Sequence, residues 1–215
     1  MSDDSRKTTT KMPSVSPLSA RETVPSMRAS EENRCRGLCL LPVIAHARRL
    51  NEGAFMQAVA AHDLRLHERI QSDAIKAREW YPIAAFRLVH SALRALSGGL
   101  DEARIVGLES SQNDLTKGIF RTLTKVASPA FLMERAAMFF RFYVEHGQLT
   151  IREIGENEIE VRFRDCRGFD EALFQDLTGG VEGSLIATGG RDIALEHVSG
   201  GKDGDTHLTV RLRWR

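Results

Sequence analysis

The side chains best equipped for chemistry are three cysteines and a few histidines, and their spacing favours packing over catalysis. Cys35 and Cys39, followed by His46, bring soft ligands together. A Cys-x3-Cys with no second pair lacks the four-ligand spacing of a structural zinc site, so these thiols read as small apolar side chains and no metal is expected. Cys166 stands between Asp165 and Arg167, with Arg164 close by. Basic neighbours lower a thiol pKa and a carboxylate opposes them, which leaves an ordinary thiol. His90 shares a helical stripe with Phe86 and Leu93. It either presents a polar group to a pocket, titrating near neutral pH, or sits in the core on a backbone carbonyl. His146 ends a helix, where an imidazolium suits the dipole.

Enzyme signatures are missing. Gly179-Gly180-Val181-Glu182-Gly183 and Gly200-Gly201-Lys202-Asp203 carry glycines without the Lys-Ser/Thr of a phosphate-binding loop. No Gly-x-Ser-x-Gly elbow or His-Glu-x-x-His helix occurs. No catalytic residue is assigned, and the reading leans away from an enzyme.

The chain has 215 residues, 42% of them apolar and 27% charged, which suits a globular domain with a sizeable core. A net charge of +1 supplies no overall field for nucleic acid or anionic membrane. The longest apolar run, 38–47, is too short to span a bilayer and contains Pro42 and His46. Three cysteines without an apolar leader predict a cytoplasmic protein. Residues 1–34 are rich in Ser and Thr, with Pro13, Pro17 and Pro25, and cannot bury enough surface to offset ordering entropy; they predict a disordered tail ahead of one domain over 35–215.

The elements that must position any site follow from periodicity. Phe55, Val59 and Ala60, then Leu64, Leu66 and Ile70, predict two or three short helices. Trp80-Tyr81-Pro82 predicts a helix starting at Tyr81 or Pro82, with Phe86, Val89, Leu93 and Leu96 on one face and a stop at Ser97-Gly98-Gly99. A further helix is expected over 110–126. The next runs from Pro129, behind Ser128, to about Glu145, and is apolar on most of its circumference, which predicts a central place. After Gly147 the pattern alternates. A hairpin turns at Gly155-Glu156-Asn157, a helix covers 169–187 with glycines that kink it or admit a close neighbour, and a second hairpin ends in Leu208, Val210, Leu212 and Trp214. The fold class is α+β: a helical N-terminal half on a four-stranded, mostly antiparallel sheet, in strand-strand-helix-strand-strand order over the C-terminal third.

Two surfaces follow. Trp80, Tyr81, Phe86, His90, Phe139 and Tyr143 either line an apolar pocket for a small apolar or aromatic ligand or form plain core, and both readings stay open. Arg162, Arg164, Arg211 and Arg213 share the outer sheet face, which could serve a protein partner or a second subunit. Without aromatics on that face, and with Glu160 and Glu196 nearby, it is no platform for nucleic acid.

Trp80-Tyr81-Pro82, the Ser128-Pro129 helix start, Gly180-Val181-Glu182-Gly183 and the Gly204-Asp205 to Trp214 strand together resemble a myxobacterial paralogue family. That family is similar in turn to the 4-vinyl reductase-like and haem-NO-binding-like domains, and the resemblance spans residues 36–215. It implies an α+β ligand- or partner-binding module in signalling. The haem-binding branch holds the propionates with Tyr-x-Ser-x-Arg, which neither Tyr81-Pro82-Ile83-Ala84-Ala85 nor Tyr143-Val144-Glu145-His146-Gly147 supplies. The late cysteine cluster of the 4-vinyl reductase-like domains is reduced here to Cys166. No haem, and no other cofactor, is expected.

Overall fold

A computed structural model describes residues 33–118, 121–124 and 129–215, with side chains for all of these except 123, 124 and 129–134. Of the expected tail over 1–34, residues 1–32 lie outside the described residues. Its last two positions do not behave as a tail: Asn33 is buried, and Arg34 opens β1 (Arg34–Arg36).

Strand β1 pairs antiparallel with β2 (Trp80–Pro82), Cys35 opposite Tyr81. Between them run α1 (Gly37–Ala60) and α2 (Leu64–Gln71). Helix α1 breaks at Asn51, whose side chain accepts from the Ala54 N–H at 3.1 Å and so restarts the helix. Asp63 caps α2 in the same way, accepting from the Leu66 N–H at 2.9 Å. The short helices predicted here are therefore present, with capping side chains at the joints.

The Trp-Tyr-Pro segment departs from expectation. Trp80 and Tyr81 are extended, Pro82 takes the cap position, and α3 (Ile83–Ser97) begins one residue later. A residue before proline is driven away from helical geometry, and the extended backbone then pairs with β1. Gly98, at φ 74°, ends α3 as predicted, its N–H reaching the Arg94 carbonyl.

Helix α4 (Asp101–Thr116) starts well before the expected Ser110. Asp101 and Glu102 favour its N-terminus through the dipole, while its apolar residues form no single stripe for periodicity to detect. A short α5 (Arg121–Thr124) precedes α6 (Pro129–Tyr143), which opens on Pro129 as expected. Over its described side chains, 135–143, α6 does not take the predicted central place. It packs against β3 (Gln148–Gly155) and β1, sets Phe140 on Phe163 at 5.6 Å, and leaves Met138 54% exposed.

Strand β4 (Glu158–Arg164) returns from β3 through a turn with Asn157 at φ 54°. After α7 (Glu171–Ala187) come β5 (Ala194–Gly200) and β6 (Leu208–Arg213). The strands lie in the order β3-β4-β6-β5, every pair antiparallel, as the α+β reading requires. Ile159, Val161 and Phe163 on β4 and Leu208, Val210 and Leu212 on β6 face inward. They join Phe86, Val89 and Leu93 of α3 in one buried cluster, each large side chain contributing about 1.5–3 kcal/mol.

The tightest helix pair is α4 with α7. A Cβ added at Gly107 would lie 2.8 Å from the Asp176 carbonyl carbon; at Gly179, 2.9 Å from Leu108 N; at Gly183, 3.0 Å from Leu108 Cα. These are backbone atoms and cannot swing aside. The glycines of the 169–187 helix therefore admit a close neighbour and do not kink it.

Candidate functional site

Between the α4–α7 pair, α6 and the inner face of the sheet lies a cavity of about 180 Å³. The stripe Gly107, Ser110, Ser111 and Asp114 on α4 faces Leu177, Gly180, Val181 and Ser184 on α7. Both follow the i, i+3, i+4, i+7 spacing of one helix face, and their small side chains leave the volume that larger ones would fill. Phe139, Phe140 and Tyr143 come from α6; Leu149 and Ile151 from β3; Ile159 and Phe163 from β4; Phe86 from α3; and Leu38 and Cys39 from α1.

Of the six side chains predicted as ligand-binding, Phe86, Phe139 and Tyr143 line this cavity. His90 stands one layer behind it. Its ring is buried, edge-on to Phe86 at 4.8 Å, with Nε2 3.1 Å from Asp176 Oδ2, and Asp176 itself lines the cavity. Among the described residues no backbone carbonyl accepts from it, and its polar neighbour is the Asp176 carboxylate. Trp80 and Tyr81 lie elsewhere. Trp80 lies beneath the Arg36 guanidinium at 4.4 Å. The buried Tyr81 accepts from the Lys76 N–H and from Arg69 and donates to Glu79. Extended backbone at β2 turns both toward β1 and α2, which is why they miss the cavity.

The polar groups of the described lining are the hydroxyls of Ser110, Ser111, Ser184, Thr188 and Tyr143, the Cys39 thiol and two carboxyls, Asp114 and Asp176. Tyr143 Oη donates to Asp114 Oδ2 at 2.5 Å. Burial pushes the Asp114 carboxyl up from its ordinary value, with the Tyr143 hydrogen bond pulling the other way. Burial, and then the Asp114 charge, push the Tyr143 phenol far up, so it stays a donor. Cys39 donates to the Tyr143 carbonyl at 3.7 Å; its thiol pKa is raised by the bond with Cys35 first and by burial second, which leaves it a neutral thiol. His46 turns from the cysteines to Glu102, Nε2 2.5 Å from Oε2. No grouping of three potential metal ligands occurs among the described residues. Burial pushes Cys166 up to about 12, the opposite of activation.

The arginine face is charge-balanced. Arg162 and Arg211 both hold Glu160, which is itself buried, and Arg213 pairs with Glu158 at 3.3 Å. Arg164 stands on the same face at the end of β4 and is exposed.

Sequence reasoning missed Asp114, Ser110, Ser111 and the Leu177–Ser184 stripe. The usable signal was the run of small and polar residues at helical spacing, hidden on α4 because its start was placed too late.

No protein-family model matches the chain, and no curated protein does. Solved structures do. The chain is similar to an oxygen-binding H-NOX domain related to soluble guanylate cyclases, seen as its oxygen complex, at 17% identity and TM-score 0.59, covering 84% of this chain and 95% of that one. It is similar to a Cs H-NOX mutant carrying 4-cyano-L-phenylalanine, at 18% identity and TM-score 0.60, covering 84% and 96%. A third similar structure concerns haem redox potential modulated by porphyrin distortion, at 16% identity and TM-score 0.58, covering 83% and 99%. At these identities the likeness is one of fold: the chain has the H-NOX architecture, as the resemblance to haem-NO-binding-like domains implied. The likeness to a myxobacterial paralogue family and to 4-vinyl reductase-like domains rests on the sequence alone.

Proposed function

We propose that this chain is a non-enzymatic ligand-binding module of signalling type, which uses an H-NOX-like fold to enclose a small ligand that is not haem. The observation that carries the reading is the aromatic-lined cavity between the helices and the sheet. A dry cavity of about 150 Å³ already accepts a benzene-sized molecule, whereas drug-sized ligands need about 300 Å³ or more, so the space suits a small ligand and not a porphyrin. The donor set argues the same way. Haem iron takes His, Met, Tyr or a Cys thiolate. The described lining offers only Cys39, held as a thiol, and Tyr143, engaged with Asp114. Asp114 and Asp176 repel propionates, and no Arg or Lys of the described lining offsets them.

Because α4, α6 and α7 meet β3 and β4 around the cavity, a ligand bears on both layers at once, and its binding favours whichever helix–sheet arrangement it fits better. A cytoplasmic setting belongs to the proposal, since Cys35, Cys39 and Cys166 are all unpaired thiols. No helix among the described residues is long and apolar enough to cross a membrane. The arginine face is the weaker docking candidate, because Glu160 and Glu158 neutralise most of it.

Native mass spectrometry and thermal shift test the reading. The wild type is expected to carry or accept a small molecule that raises Tm, and Val181→Phe, which fills the cavity, to lose it without loss of fold. A wild type that retains nothing and responds to no small aromatic, or one with a Soret band, contradicts it. Partner capture that survives Val181→Phe and is lost on charge reversal at Arg211 and Arg213 would move the function to the outer sheet face.

A further inference from the structure

The charge pattern of the cavity narrows the chemistry of its ligand, an inference that rests on the ligand-binding reading. The acidic residues of the described lining are Asp114 and Asp176, and that lining holds no Lys, Arg or His. Asp176 has the buried His90 imidazole at 3.1 Å. Asp114 holds the Tyr143 phenol on Oδ2 and, among the described residues, forms no ion pair with a cation. Asp114 is partly buried, which raises its pKa, and a cation placed beside its carboxylate is favoured.

Two further features surround that acceptor. The rings of Phe86, Phe139, Phe140, Phe163, Phe169 and Tyr143 contribute to the lining, and aromatic faces attract cations when water is excluded. A second depression of about 340 Å³ runs between α1 and α4 and shares Leu38, Ser110 and Asp114 with the cavity. Its outer part carries His46, Arg49 and Glu109. Asp114 therefore borders both the aromatic cavity and this surface depression.

We propose that the cavity takes a small protonated amine on an apolar or aromatic body, the ammonium N–H donating to Asp114 Oδ1 and the rings enclosing the body. Such a ligand brings the missing positive charge with it. A charge-assisted hydrogen bond is about twice as strong as a neutral one, so the preference is carried by the amine head and not by the body. Anionic ligands of similar shape meet two carboxyl groups and no cation of the described lining.

Isothermal titration at pH 7 with three phenyl probes of similar size tests this: 2-phenylethylamine, 2-phenylethanol and phenylacetate. The amine is expected to bind at least about tenfold more tightly than the alcohol, and the carboxylate not measurably. Asp114→Asn retains an acceptor for Tyr143 and should fold; it is expected to remove most of the amine's advantage over the alcohol. Circular dichroism and Tm confirm that the variant is folded, and Tyr143→Phe, which leaves Asp114 in place, is expected to keep the amine preference. Equal binding of amine and alcohol, or undiminished amine binding by Asp114→Asn, overturns the amine assignment and leaves the ligand-binding reading intact. Failure of all three probes, together with a native mass spectrum free of ligand, overturns both.

Discussion

Gly179 and Gly180 are neighbours on one helix, yet alanine at the two positions should move stability in opposite directions. A Cβ at position 179 would lie 2.9 Å from both Leu108 N and the Arg104 carbonyl carbon, and closer still to the Arg104 oxygen. The Arg104 oxygen sets the requirement, so α4 and α7 must part by about 1 Å or more, and a gap of that size forfeits about half of each contact along the interface. Overpacking of this kind costs about 3 kcal/mol when only backbone is available to yield, against about 1 kcal/mol gained in helix propensity. The net loss for Gly179→Ala is about 2 kcal/mol, which for a chain of this size lowers Tm by roughly 4–8 °C. At Gly180 the nearest atom is the Ser111 hydroxyl oxygen at 3.2 Å, the end of a side chain that can turn away. Gly180→Ala is expected to be neutral or to stabilise by up to about 1 kcal/mol. Urea denaturation of both variants with a common m-value reads the difference directly. Equal shifts at the two sites would falsify the close-approach account of the α4–α7 pair.

Three other expectations follow from named contacts. Asn33 donates to the carbonyls of His146 and Arg167 and accepts from the N–H groups of His146 and Arg34; Asn33→Ala should cost about 2–3 kcal/mol in urea denaturation, and a loss below about 0.5 kcal/mol would mean that this junction is not structural. The raised Asp114 pKa means the folded state holds its proton more tightly than the unfolded state does. Stability from this group is full below the ordinary value of 3.8 and lost as pH rises through the folded value, so the Tm of wild type relative to Asp114→Asn should increase as pH falls from 7 toward 4; an unchanged difference contradicts the burial account. Cys166, buried and pushed up to about 12, should resist iodoacetamide at pH 8 in native protein and react once unfolded, as peptide mass mapping would report; rapid native labelling would place this thiol in water.

Where local chemistry sets local structure, the sequence was a sound guide. Gly98 ended α3, Pro129 opened α6, and the alternation in β4 and β6 put Phe163 and Leu212 inward and Arg162 and Arg211 outward. It failed where a local preference found a distant partner: Trp80 and Tyr81 became strand because β1 lay alongside, and α6 was apolar all round without becoming central. The start of α4 was missed because a helix buried by close contact with another helix needs small residues on that face, and these carry no hydrophobic period.

The amino-acid order thus specified the α+β class, the two hairpins and most helix ends, since backbone sterics, caps and side-chain alternation act over a few residues. The cavity is another matter. Its volume is what remains after α4, α6, α7 and the sheet have packed, and its acidity comes from Asp114 meeting Tyr143 across 29 positions of chain. Close packing and desolvation are properties of groups brought together from far apart, so they exist only once the chain has folded.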